Sequence, residues 1–369
     1  MKTGYCRGCG SVLQSEDRNK PGFIPKEALE RNGAVICQRC FRITHYGEIG
    51  STGPEPDRIK QSIIKAITIS DLLVLIVDFS DLTGSLPVWA GFLGDKPYLL
   101  VLNKMDLLPE RTHADEVIDY VRNYAQKNGL GKPEAIITTS GLKEQGIAGF
   151  KEQLQKSTAP GGKIAILGVS NVGKSSLVKC LLKNEGADFG PTVSRFPGTT
   201  MGLSNWGIFK GRNTLIDTPG FNPEDRISDR LCSACASSLF PNPKFQQKLW
   251  SIKPRKGLIV GGLLGLESLA DSEMVILTFT SPQLIIHRTD GSKIQSLLDE
   301  QPEWLSKYCN NCRKKIEWTT EKVTLQPNMD LAISGLGWVS LRREAASFQF
   351  IMPAGIRWEV RPALIGKKE

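Results

Sequence analysis

The chain has 369 residues, of which 40% are hydrophobic and 23% charged, and a formal net charge of +9. Such a composition excludes a disordered or collagenous chain and leaves room for two or three domains. The longest apolar runs, such as residues 72–77 (LLVLIV), are too short to cross a bilayer, so no membrane partner is expected.

Charge is unevenly spread. Residues 1–65 carry 11 basic and 7 acidic side chains, residues 66–220 carry 16 and 15, and residues 221–369 carry 20 and 16. Basic flanks around a near-neutral centre suit polyanion-binding arms, although ordinary solvated surface has the same look. Met1 leads almost directly to Cys6 without a basic-then-apolar segment, so a cytoplasmic protein is the expectation, although a matured organellar protein would look the same; a monomer is also expected.

Residues 1–50 show little apolar periodicity, so a metal rather than a core must organise them. Cys6 and Cys9 form one Cys-x-x-Cys knuckle, and Cys37 and Cys40 form another. Four soft ligands from two tight turns are the donor set of a closed structural Zn²⁺ site, with a redox dithiol as the alternative. Arg7, Arg39 and Arg42 lie on or beside the knuckles, where they could meet a phosphate backbone.

Residues 57–220 alternate helix-like and strand-like stretches. Strands are predicted at 71–78, 97–102, 135–139, 163–167 and 213–217, and helices at 57–69, 114–128 and 146–156. Apolar strands alternating with helices indicate a mainly parallel sheet covered on both faces.

The strand at 97–102 runs into Asn103-Lys104-Met105-Asp106. An aspartate there can accept hydrogen bonds from the N1–H and the 2-amino group of guanine, donors that adenine does not present together. Ser140 and Gly141 follow the next strand, where a backbone N–H could meet guanine O6. Residues 168–175 (GVSNVGKS) then fit G-x-x-x-x-G-K-[ST] between a strand and a helix. The backbone of Gly168, Ser170, Asn171, Val172 and Gly173 should cradle phosphate oxygens at the helix N-terminus. Lys174 should reach the β- and γ-phosphates, Ser175 should ligate Mg²⁺, and Ser176 can touch the α-phosphate. Thr200, in a Pro-Gly-Thr-Thr turn, is the candidate switch threonine for Mg²⁺. Asp217, ending the strand at 213–217, can hold the same ion, and the Gly220 N–H can sense the γ-phosphate.

These motifs come in an unusual order, because the phosphate loop begins 65 residues after Asn103 (168 − 103). The usual cycle runs from phosphate loop through switch threonine and D-x-x-G to N-K-x-D. Cutting a compact α/β domain at one loop and rejoining its old termini reproduces the observed order, and residues 156–163 (KSTAPGGK) suit the rejoining turn. The fold class is therefore α/β, a circularly permuted P-loop GTPase domain with an N-terminal zinc finger and a β-rich C-terminal domain at 221–369.

That last segment holds two further knuckles, Cys232/Cys235 and Cys309/Cys312, with 73 residues between them. A second Zn²⁺ there requires the two to converge in space; two independent reduced thiol pairs are the alternative. Basic runs at 253–256 (KPRK) and 313–315 (RKK) would give such a site an RNA-facing surface.

With these motifs quoted, the chain resembles the circularly permuted GTPases of ribosome assembly, specifically the YqeH type, over nearly its whole length. The glycine pair Gly261-Gly262 and residues 334–338 (SGLGW) share in the resemblance without an assigned chemistry. It implies GTP binding and hydrolysis, and a role in ribosome biogenesis, small-subunit assembly above all, through contacts of the flanking domains with ribosomal RNA. Phe221 stands where many GTPases carry a water-orienting glutamine. Asn171 matches the asparagine through which similar GTPases bind K⁺, so slow, K⁺-stimulated turnover is implied, with Lys174, Asn171, Thr200, Asp217 and Gly220 as the catalytic set. A zinc-dependent RNA-binding scaffold that binds GTP with negligible turnover is the alternative function.

Overall fold

The computed structural model describes residues 13–17, 22–25, 37–38, 56–109, 112–183 and 203–366. Among them, α1 (Pro56–Ile69) leads into a six-stranded sheet made of β1 (Leu72–Asp78), β2 (Tyr98–Asn103), β3 (Ala135–Thr138), β4 (Lys163–Leu167), β5 (Ser204–Ile208) and β6 (Asn213–Asp217). Helices α2 (Ala114–Lys127), α3 (Ile147–Ser157) and α4 (Lys174–Leu182) lie between these strands in the chain. The spatial order is β3-β2-β1-β4-β6-β5, parallel throughout except for the antiparallel β5–β6 edge.

β1 is buried along all seven residues and β2 along all six, because both strands are central and helices cover both faces. Continuous apolar sequence, rather than alternation, is what such strands require. Residues 158–162 rejoin α3 to β4. There Asn213 Nδ2 donates to the carbonyls of Ala159 and Gly162, at 2.7 and 3.2 Å, and ties the turn to the start of β6. The sheet is thus entered at β1 and left at β6, with the phosphate-loop strand β4 at its centre.

Beyond β6 the chain makes two short helical turns, α5 (Ile227–Arg230) and α6 (Ser233–Ala236), and then β7 (Gln246–Ile252) to β16 (Trp358–Pro362). These strands form two five-stranded antiparallel sheets. Two elements interrupt them, α7 (Ile294–Glu300) and α8 (Asn310–Arg313). In one sheet β13 (Met329–Ile333) and β14 (Gly337–Leu341) are joined by a tight turn containing Gly335.

The nucleotide-binding sheet and the β-rich part share one apolar core. Trp338 stacks on Phe279 at 4.8 Å between ring centroids and meets Phe245 at 5.0 Å. Phe79, just beyond β1, meets Trp338 edge-on at 6.4 Å. Aromatic pairs of this kind add about 0.5–1.5 kcal/mol each beyond area burial. A buried polar group crosses the same boundary: Glu359 accepts hydrogen bonds from Thr83 and Tyr124, and Arg361 donates to Thr83 Oγ1 at 3.0 Å.

Of the N-terminal knuckles, Cys6, Cys9 and Cys40 lie outside the described residues, as do Arg7, Arg39 and Arg42, while Cys37 is buried. Leu13 and Ile24 are also buried, and Gln38 N–H donates to the Phe23 carbonyl at 2.8 Å. Thr200 also lies outside the described residues.

Candidate nucleotide site

The phosphate loop leaves β4 at Gly168 and enters α4 at Lys174, with Gly173 at φ 91° and Asn171 at φ 67°. At Gly173 a Cβ would come within 2.2 Å of Asn103 Nδ2, so the guanine loop closes against the phosphate loop only over glycine. Asn103 is the keystone of that contact. Its side chain donates to the Val172 carbonyl at 2.8 Å and accepts from the Gly141 N–H at 3.0 Å and from Thr139 Oγ1 at 3.2 Å.

Three loops far apart in sequence are thereby held by one buried amide. The Gly141 N–H is engaged by Asn103, and Ser140 Oγ accepts from the Lys143 N–H at 3.0 Å. Asp106 stays half-buried at the rim, and Lys104 pairs with Asp78 at the end of β1 while its ammonium lies 5.5 Å from the Phe240 ring centroid.

On the phosphate side, Ser175 and Ser176 are exposed at the start of α4, whereas Lys174 is buried. Burial pushes the Lys174 ammonium below its usual range, opposed by the nearby Asp217 carboxylate. Burial likewise pushes the Asp217 carboxyl up, opposed by Lys174. Asp217 Oδ1 is buried without a hydrogen-bond partner in the protein. A buried carboxylate oxygen of this kind costs free energy unless something fills its place. With Ser175 opening the adjacent helix, this donor set fits Mg²⁺ beside phosphates.

The D-x-x-G loop folds back onto the phosphate loop. Ser170 N–H donates to the Phe221 carbonyl at 2.9 Å, and a Cβ on Gly220 would approach Ser170 to 3.1–3.2 Å. Phe221 packs its ring on Trp89, at 5.2 Å, and lies 6.5 Å from the Phe92 ring. Its role is apolar, and it carries no group that could orient water.

One residue was not singled out by sequence reasoning. Arg226, nearly fully buried, donates to the Ser170 carbonyl at 3.0 Å and grips Asp229 with two hydrogen bonds of 2.7 and 2.9 Å. Asp81, half-buried, lies nearby, and Ser334 Oγ approaches Asp81 Oδ1 at 3.4 Å. Arg226-x-x-Asp229 after a D-x-x-G loop is a faint sequence signal, since such a pair is ordinarily a surface ion pair on a helix.

The second pair of knuckles does converge: the sulfurs of Cys232, Cys235, Cys309 and Cys312 all lie within 4.8 Å of one another. The basic run beside them does not all face outward. Arg313 donates to the carbonyls of Tyr308 and Ser306, at 2.8 and 3.2 Å, leaving Lys314 and Lys315 as the exposed cations. His113 sits at the N-terminus of α2, and His287 packs edge-on against Trp304 at 4.7 Å.

A family model described as 50S ribosome-binding GTPase matches residues 163–242, and one for the YqeH-like C-terminal domain matches residues 273–364. The chain joins a circularly permuted GTPase domain to a YqeH-like C-terminal domain. Over 374 aligned residues it is 29% identical to YqeH of Bacillus subtilis, covering 99% of this chain and 100% of that protein. A chloroplastic/mitochondrial NO-associated protein 1 of Arabidopsis thaliana is 26% identical, covering 91% of the chain and 69% of that relative.

GTPase Der of Moorella thermoacetica is 30% identical over 59% of the chain and 49% of its own length. The structural neighbours include YjeQ of Thermotoga maritima, 26% identical with a TM-score of 0.27 over 42% of this chain and 49% of that one. GNP-bound YlqF of the same organism is 20% identical with a TM-score of 0.30, over 49% and 66%. Among the described residues, no helix is long and apolar enough to cross a membrane.

Proposed function

We propose that this YqeH-type GTPase is a ribosome-biogenesis factor, acting on the small subunit through contacts of its flanking domains with ribosomal RNA. The observation that carries the reading is Arg226. It joins the phosphate-loop carbonyl of Ser170 to the segment that leaves the D-x-x-G loop, which continues into the β-rich domain. A GTPase whose switch is wired to a second domain is built to report its nucleotide state to a partner. The description of the family model matched over residues 163–242, 50S ribosome-binding GTPase, points to ribosomes as that partner, and the basic balance of the flanks fits an RNA surface.

In this reading Asp106 selects guanine, and Asn103 holds the base loop, the Ser140-Gly141 loop and the phosphate loop in register. The N–H groups of residues 168–175, with Lys174 and Ser176, hold the phosphates. Ser175, Asp217 and Thr200 would hold Mg²⁺, which would supply neutralisation of phosphate charge. Turnover is slow because Phe221 is packed among aromatic rings, and Asn171 is the residue through which K⁺ assists. The Cys6, Cys9, Cys37 and Cys40 set holds a structural Zn²⁺, and the protein works as a cytoplasmic monomer.

The test is phosphate release from GTP by the full chain in K⁺ or Na⁺, with and without purified small or large ribosomal subunits. Faster release in K⁺, and stimulation by small subunits alone, is the expected result. Equal rates in the two salts would remove K⁺ from the mechanism. Indifference to both subunits would overturn the ribosomal role.

A further inference from the structure

Cys232 and Cys309 each cap a short helical turn, α6 and α8, with closely matching backbones: φ −64°, ψ 159° at Cys232 and φ −65°, ψ 156° at Cys309. The knuckles interlock through reciprocal hydrogen bonds. The Cys232 N–H points at Cys312 Sγ at 3.3 Å, and the Cys309 N–H points at Cys235 Sγ at 3.2 Å. The Cys232 and Cys309 sulfurs are 4.0 Å apart, about twice the length of a disulfide of about 2.05 Å. That separation is close to the edge of about 3.8 Å that a tetrahedron of sulfurs has around a metal at about 2.3 Å.

From this geometry we propose that the four cysteines hold a Zn²⁺ ion that clasps the segment leaving the switch to the β-rich domain. Four thiolates in a tetrahedral set select zinc or iron over the harder divalent ions. Cys235 and Cys312 are buried against the apolar core of the β-rich part, with Leu239 and Tyr308 in the same cluster, while Cys232 and Cys309 face solvent. Two thiolates open to water suit a metal without redox chemistry. The charge of −2 on a zinc tetrathiolate is offset by the exposed Lys314 and Lys315, which follow the second knuckle directly.

The clasp also explains how 73 intervening residues can end beside their start. The first knuckle lies 12 residues after Gly220 (232 − 220), and the second lies between α7 and β12 (Trp318–Leu325). The segment after the D-x-x-G loop is then held by Arg226 to the phosphate loop and, beyond the contacts of Asp225 and Ile227 with Arg357 and Ser334, by the metal to the β-rich domain. The metal site itself stands apart from the proposed function, and its test reads no GTP turnover.

The experiment is native mass spectrometry of the metal-replete full chain, coupled to alkylation by iodoacetamide and peptide mapping. The account expects zinc on the chain, Cys232 and Cys309 resistant to alkylation despite their exposure, and both reactive as zinc is extracted. The Cys232→Ser/Cys309→Ser variant should carry one zinc equivalent fewer than the parent. Prompt alkylation of Cys232 and Cys309 in the metal-replete chain would overturn the proposal, whatever the variant does. Iron with a visible charge-transfer band in place of zinc would overturn the identity of the metal.

Discussion

Asn103 and Asp106 divide the work of the guanine loop. Asn103 spends its amide on Val172, Thr139 and Gly141, so its loss would release three loops at once, whereas Asp106 has no ion-pair partner among the described residues. Asp106→Asn should therefore weaken GTP binding by about 10²-fold or more, because the substituted amide meets the guanine donors with a donor of its own. Stability should be nearly unchanged. Competition binding of GTP against xanthosine triphosphate checks this, with the variant favouring the latter, whose 2-oxo group accepts where guanine donates.

Asp217 offers a pH test. Burial raises its carboxyl pKa, so the protonated form persists to higher pH than for an exposed aspartate, and Mg²⁺ competes with that proton. Mg²⁺-dependent GTP affinity should begin to fall on acidification at a higher pH than an ordinary exposed carboxylate, near 4, would dictate. Isothermal titration across a pH series reads it, and Asp217→Asn should weaken binding and flatten the profile.

Among the elements, the stretch from Asp225 to Arg230 is where the two halves of the molecule are pinned. Asp225 pairs with Arg357 at 2.6 Å, Ile227 N–H donates to the Ser334 carbonyl at 3.0 Å, and Arg226 holds Asp229 and Ser170. Removing one partner from a buried ion pair costs about 3–5 kcal/mol, because the other charge is left without compensation. Arg226→Met should lower unfolding stability by that amount in urea melts, and Arg226→Met/Asp229→Leu should recover much of it. Gly335, at φ 75°, would bring a Cβ to 2.9 Å from Ser228 N, so Gly335→Ala should destabilise the same junction by more than about 1 kcal/mol.

How far these elements were legible follows from their chemistry. β1, β2 and β4 announce themselves because central parallel strands are mostly apolar, and the phosphate loop because its glycines and lysine have fixed spacing. β5 was missed: Ser204-Asn205-Trp206-Gly207-Ile208 is an edge strand with neither an apolar run nor clean alternation. The turn at 334–336 divides what reads as one stretch, LAISGLGWVSL, into β13 and β14. The meeting of the two distant knuckles and the reach of Arg226 to Ser170 are tertiary facts. Neither has a local signature.

For the whole molecule, circular permutation changes what the switch is attached to. With β6 as the last strand of the sheet to be reached, the D-x-x-G loop passes its chain to Arg226, then to the four cysteines, and then to the two β-sheets. The shared aromatic core around Trp338 and the Glu359–Thr83–Tyr124 group give that path a stiff support. A shift of the Phe221 carbonyl against Ser170 on loss of the γ-phosphate would thus be felt at the β-rich surface.

The most direct test of this account is sedimentation of purified ribosomal subunits with the full chain loaded either with a non-hydrolysable GTP analogue or with GDP. Co-migration with the small subunit in the GTP-like state, lost in GDP, is the predicted result. Co-migration with neither subunit in either state, or binding that ignores the nucleotide, would contradict it.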